Sequence, residues 1–210
     1  MFMSKSTRMS RLLLAFAIAV SSSTGLLAAA TPAYAAPASS VLATAKSEVG
    51  TREGSAKADS YGAAVNMHSS TRTYAWCAVF VSWVMERTGA TGLRSASVGD
   101  WVAVAAAGHD GLSITATPRP GDLVAFDWDG NGDFAWPNRH IGVVKSAPKN
   151  GRFTTIEGNT DLPSGGQGVA RRSRSTDDGY STLFIRVDGN VTAGARTTIV
   201  NPDPARDSAV

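Results

Sequence analysis

Chemistry in this 210-residue chain starts from its single cysteine, Cys77. It opens the stretch CAVFVSWVMERT, residues 77–88, in which Phe80, Val81 and Val84 fall on the same side as Cys77 and Gly89 stands just past the end. That pattern predicts a helix with Cys77 in its first turn. The first amides of a helix lack intrahelical partners, and the dipole is positive there, so an anion is favoured. The thiolate is the nucleophilic form of cysteine, and a helix N-terminus lowers its pKa. The same face would also suit a buried, inert core cysteine.

A thiol nucleophile needs an imidazole within hydrogen-bond reach. The chain has three histidines. His68 falls in a polar stretch, and His109 stands between Gly108 and Asp110, both settings typical of exposed loops. His140 opens the apolar run HIGVV, which reads as a strand able to fix its ring, and is the residue chosen as base. Residues 140–146 and 152–159 read as two strands joined through Pro148-Lys149-Asn150-Gly151. An antiparallel hairpin of that kind brings His140 near Glu157 or Asn159, which are two apart and so share a sheet face. Either can accept from the imidazole, with the other as a brace.

The positioning elements divide along the chain. Helices are predicted at residues 39–49, 77–88 and 99–107, with a polar, Gly- and Ser-containing stretch through Thr73 between the first two. After Pro120-Gly121, strands are predicted at residues 122–128, 140–146, 152–159, 169–174 and 182–187, about five in all. Helices first and strands afterwards predict an α+β domain built on an antiparallel sheet. Neither an internal repeat nor a second, wall-binding domain is visible.

Residues 1–35 read as a secretory signal peptide. Lys5, Arg8 and Arg11 precede the apolar run LLLAFAIAV at residues 12–20, and Ala33-Tyr34-Ala35 fits an A-x-A cleavage site. The apolar run is shorter than the roughly 20 residues that cross a bilayer, and no cysteine stands near the cleavage site to carry a lipid. Export without a membrane anchor is therefore expected, with the catalytic domain over residues 36–187 and a flexible tail over 188–210 that contains Pro202 and Pro204. The chain holds 20 basic and 17 acidic residues. The signal contains three of the basic ones, so the exported part is formally neutral and offers no footprint for nucleic acid. Arg171, Arg172 and Arg174 read as a solvated strand edge.

Two further groups stand out. In residues 127–133, Asp127, Asp129, Asn131 and Asp133 alternate with other residues and a glycine occupies the sixth place. This is the first half of a calcium loop, but Asn138 stands where the twelfth-position glutamate belongs. The alternative is an Asp/Gly-rich turn leading into the His140 strand. Trp76, Trp128 and Trp136 are candidates to line a substrate groove. Trp76 and Trp136 are favoured because they neighbour Cys77 and the approach to His140, whereas Trp83 is a candidate for the core.

The segment Trp76-Cys77-Ala78-Val79-Phe80-Val81-Ser82-Trp83-Val84 resembles the nucleophile motif of the cysteine/histidine-dependent amidohydrolase/peptidase (CHAP) family. Pro120-Gly121-Asp122-Leu123-Val124 and His140-Ile141-Gly142-Val143-Val144 resemble its central and histidine strands, and Ile156-Glu157-Gly158-Asn159-Thr160 its acid-and-amide motif. The resemblance covers roughly residues 40–187, in matching order. It implies a papain-like fold and cleavage of amide bonds in bacterial peptidoglycan, at the cell wall and outside the cell. By carry-over Cys77 attacks, His140 transfers the proton, Glu157 orients the ring and Asn159 assists. Such chemistry requires no cofactor, and a monomer is expected.

Overall fold

The structure is a computed structural model that describes residues 37–134 and 139–189. The expected signal peptide, Trp136, Asn138 and nearly all of the expected tail lie outside the described residues.

Helical elements come first: α1 Pro37–Ser47, α2 Ala56–Asp59, 3-10 turns at Ser60–Val65 and Thr71–Thr73, α3 Cys77–Thr88 and α4 Val98–Ala106. Six strands follow, β1 Leu112–Ile114, β2 Leu123–Asp127, β3 Arg139–Lys149, β4 Arg152–Asp161, β5 Gln167–Ser175 and β6 Ser181–Val187. They form one sheet in the order β1-β6-β2-β3-β4-β5 with every pairing antiparallel. The α+β class is as expected. The strand count differs because β1, three residues long at the sheet edge, is too short to show a period. The polar stretch before residue 73 holds α2 and two 3-10 turns, in pieces likewise too short to read. Their order comes from tertiary contacts. Tyr61 and Val65 enter the core, while the Asp59 carboxylate accepts from the Thr71 amide at 2.7 Å and the Thr71 hydroxyl at 2.8 Å.

Both faces of the central strands are apolar, so β2 is buried at every residue. Leu123, Ala125, Ile141, Val143, Ile156 and Ile185 join a core with Phe80, Val81 and Val84 of α3. The alternate positions Val124, Phe126, Val144 and Phe153 build a second cluster, covered by Trp128, Tyr180 and Phe184. The Pro-Gly-Asp turn ahead of β2 ties three elements together. Gly121 has φ 95°, and a Cβ there would lie 1.9 Å from the Ala38 carbonyl oxygen of α1. The neighbouring Asp122 carboxylate accepts from Arg186 Nε at 3.0 Å and from the Val187 amide at 3.2 Å.

Candidate active site

Cys77 is the first residue of α3, as the sequence pattern predicts, and Gly89 closes the helix in the left-handed region at φ 62°. Cys77 is only 5% exposed. Gly158 of β4 lets this end of the helix approach the sheet. A Cβ on Gly158 would lie 2.6 Å from Phe80 Cβ and 2.8 Å from Trp76 Cζ3.

His140 lies on β3, opposite Phe126 of β2. Its ring is held from the side by Trp128 and Phe126, with centroids 5.9 and 6.1 Å away. Nε2 is 2.9 Å from Glu157 Oε2, which leaves Nδ1 for Cys77, the other side chain in hydrogen-bond contact with the ring. Burial alone would lower the pKa of this imidazole. The charge and hydrogen bond of Cys77, followed by those of Glu157, outweigh burial and raise it to about 9. At neutral pH the ring is therefore an imidazolium, paired with the Glu157 carboxylate. His68 and His109 are both exposed.

Glu157 is fully buried. A carboxylate in that position must be paired and hydrogen-bonded, and this one has a complete set of donors. Besides His140 it accepts from Thr155 Oγ1 at 2.5 Å and from Arg174 Nε at 2.9 Å, with Arg174 Nη2 closing a bidentate pair on the other oxygen. Burial pushes its pKa up, but the imidazolium and the guanidinium more than offset this and hold it at about 2. Gly142 makes room for this side chain, since a Cβ there would stand 2.6 Å from Glu157 Cγ.

Arg174 is a correction to the expectation of a solvated edge. Its side chain is 15% exposed, with its guanidinium 5.1 Å from the Phe126 ring centroid and 5.0 Å from that of Trp128. One planar group thus neutralises the buried acid and packs against the rings that hold the histidine. The register Thr155↔Arg172 and Phe153↔Arg174 places Arg174 on the Glu157 face of the hairpin. Alternation along β5 was the available signal. It identifies the face but not that the face is covered.

Asn159 and Glu157 do not continue a simple alternation. Between the pairs Glu157↔Ala170 and Thr160↔Gly168, two residues of β4 oppose one of β5, which is a bulge, and Asn159 takes φ 54°. Glu157 contacts the ring, and Asn159 instead faces two adjoining recesses. One is lined by Trp128, His140, Asn159, Gln167 and Arg174. The other is lined by Glu53, Arg72, Tyr74, Asn159 and Gln167. Together they make a polar cleft that passes His140.

Trp76, expected in a groove, is fully buried, 6.0 Å from Tyr61 between ring centroids, with Nε1 3.4 Å from Glu53 Oε1. The close approach of α3 to Gly158 leaves it no path to solvent. Trp83 packs on Tyr61 at 4.9 Å between centroids. Of the candidate groove tryptophans among the described residues, Trp128 is the one that faces the cleft. Asp127 ends β2, and Asp129, Asn131 and Asp133 occupy the exposed turn after it.

The family model of the CHAP domain matches residues 69–159. That segment contains Cys77, His140, Glu157 and Asn159, whereas Arg174 lies beyond it. No curated protein matches the chain. Among solved structures, the crystal structure of a wild-type endolysin, LysIME-EF1, is similar at 20% identity with a TM-score of 0.45. The match covers 70% of this chain and 62% of that one. The family's motifs thus run in order through the matched segment, and it is over residues 69–159 that this chain is similar to a CHAP domain.

Proposed function

We propose that this protein is a secreted peptidoglycan hydrolase that cleaves an amide bond with Cys77 as nucleophile. The bond is either the N-acetylmuramoyl-L-alanine amide or a peptide cross-link. The observation that carries the reading is His140 held between the Cys77 thiol and the buried Glu157 carboxylate. The CHAP match supports the substrate class.

In this mechanism the Cys77 thiolate attacks the amide carbonyl carbon, and the carbonyl electron pair moves onto oxygen. The backbone amide of Cys77, at the start of α3, is placed to donate to that oxyanion. Collapse of the intermediate breaks the C–N bond as the His140 imidazolium gives its proton to the leaving nitrogen. An acyl-thioester remains, and the amine departs. Water then attacks the thioester with neutral His140 taking its proton, the carboxylic acid product leaves, and the thiolate–imidazolium pair is restored. Glu157 keeps its charge and fixes the ring throughout, as the acid of a triad does. Asn159 and Trp128 border the cleft into which the stem peptide would be laid.

The test compares the parent with Cys77→Ala on purified peptidoglycan under reducing conditions, following turbidity and free-amine release. Activity in the parent and at least a ~1000-fold loss in a folded Cys77→Ala is the expected result. Mass spectrometry of the fragments names the bond. Equal activity in both proteins would remove Cys77 from the reaction. Binding to the wall without release by either would point to a silent binding module, and cleavage of casein alone to a general peptidase.

A further inference from the structure

The reaction makes a demand on Glu157 that its resting partners do not reveal. Once His140 has given its Nδ1 proton to the leaving amine, the imidazole stays neutral until it takes a proton from water. Over that interval no imidazolium balances the buried carboxylate. A buried carboxylate left without a cation takes up a proton. Protonated Glu157 would then donate to Nε2, and the ring's one remaining hydrogen would sit on Nδ1. That tautomer presents no lone pair toward Cys77 and cannot accept the proton of the attacking water.

Arg174 is built to prevent this. Among the described residues, His140 and Arg174 are the two cationic partners of Glu157. Arg174 Nε donates to Oε1 at 2.9 Å, and Nη2 to Oε2, the oxygen that also accepts from His140. Thr155 Oγ1 donates to Oε1 as well, so both oxygens face donors and neither is open to a proton. A guanidinium keeps its charge in proteins and has no acceptor to offer. This one is also fixed in place against the stacked rings of Phe126 and Trp128, whose centroids are 4.9 Å apart. Asp178 and Tyr180, ahead of β6, act on it electrostatically. Arg172, two residues earlier on the same strand, is instead turned to the Asp161 carbonyl at 3.4 Å.

We propose that Arg174 is a positioning residue for the reaction, keeping Glu157 an ionised acceptor while the imidazole is neutral and so holding the ring's hydrogen on Nε2 and its lone pair on Nδ1. The role rests on the hydrolase reading above, and Arg174 stands on β5 outside the segment that the family model matches. The proton count balances. Glu157 and Arg174 keep their protonation throughout. At the imidazole the proton that moves is the one on Nδ1, which leaves with the amine and is replaced from the attacking water.

The tautomer is read by nitrogen NMR of His140 in the Cys77→Ala background, which needs no hydrolase activity. As pH rises and the ring becomes neutral, its hydrogen should stay on Nε2. With Arg174→Met added it should be found on Nδ1, and Arg174→Lys, which keeps the charge, should restore Nε2. With Cys77 present, Arg174→Met should lower kcat on peptidoglycan by about 100-fold or more, the direction known for a wrong tautomer, with KM little changed and partial recovery in Arg174→Lys. Glu157→Gln/Arg174→Met buries no charge and covers the case in which Arg174→Met does not fold. Its kcat should match that of Glu157→Gln alone. An Nε2 hydrogen retained in Arg174→Met, a rise in KM alone, or a further loss of kcat in the double variant each overturns the proposal. A tautomer switch in a protein whose parent releases nothing from peptidoglycan rejects the hydrolase reading and leaves the hold of Arg174 on Glu157 in place.

Discussion

His140 carries two opposed influences, burial that disfavours its charge and the neighbours Cys77 and Glu157 that favour it, and the neighbours win. Its proton is what the departing amine needs, so kcat/KM should fall on the alkaline side as the imidazolium is lost near pH 9. Glu157, held at about 2, stays ionised throughout the working range and should add no acidic limb above that. The support from Cys77 can be isolated. In Cys77→Ala, burial acts against Glu157 alone, so the histidine pKa read by NMR should drop well below 9. An unchanged value would mean that the thiol and the imidazole do not interact. Arg174 shows how a residue read as surface can belong to the site. A buried glutamate with a single histidine partner would be under-compensated, and the guanidinium completes its pairing.

At the level of elements, two glycines set how closely the catalytic pieces approach, and they should fail differently. Gly158 faces the side chains of Phe80 and Trp76, which are both fully buried. Gly158→Ala should therefore overpack the α3–β4 contact and cost about 1–3 kcal/mol, seen as a melting temperature lower by several degrees. Gly142 faces the Glu157 side chain. Gly142→Ala should keep most of the stability and push the carboxylate off His140, with a loss of activity of about 100-fold, the scale of a misplacement near 1 Å. Thermal melts and peptidoglycan turbidity on both variants separate the two effects. Equal stability losses with no difference in activity would contradict this assignment. The bulge at Gly158-Asn159 acts on the same scale, breaking the alternation so that Glu157 meets the ring while Asn159 faces the cleft.

Across the whole molecule, the buried charges make stability a function of pH. The pKa of His140 is raised from 6.5 to about 9, so its contribution is complete below 6.5 and disappears as pH rises through 9. That of Glu157 is lowered from 4.5 to about 2, so its contribution is complete above 4.5 and disappears as pH falls through 2. From these two groups stability should be highest between about pH 4.5 and 6.5 and decline toward 9. Melting curves across pH test this, and the alkaline decline should flatten in Cys77→Ala. The two-faced sheet makes the coupling possible. Its second cluster includes Phe126, which packs against the Arg174 guanidinium that pairs with Glu157.

Much of this was legible in the residues. Apolar periodicity with Gly89 as a stop defined α3 from Cys77 to Thr88, and the HIGVV run with its hairpin partner brought His140 near Glu157 or Asn159, of which the structure pairs it with Glu157. These are local patterns, carried by spacing of three to four or two residues within one or two neighbouring elements. Tertiary structure alone decided the rest. It buried Trp76 by closing α3 onto Gly158, covered Arg174 with Phe126 and Trp128, and ordered the pieces before Thr73 through Tyr61 and Asp59. Burial at each of those positions depends on residues distant in sequence, and a pattern of neighbours contains no record of what will lie on top of them.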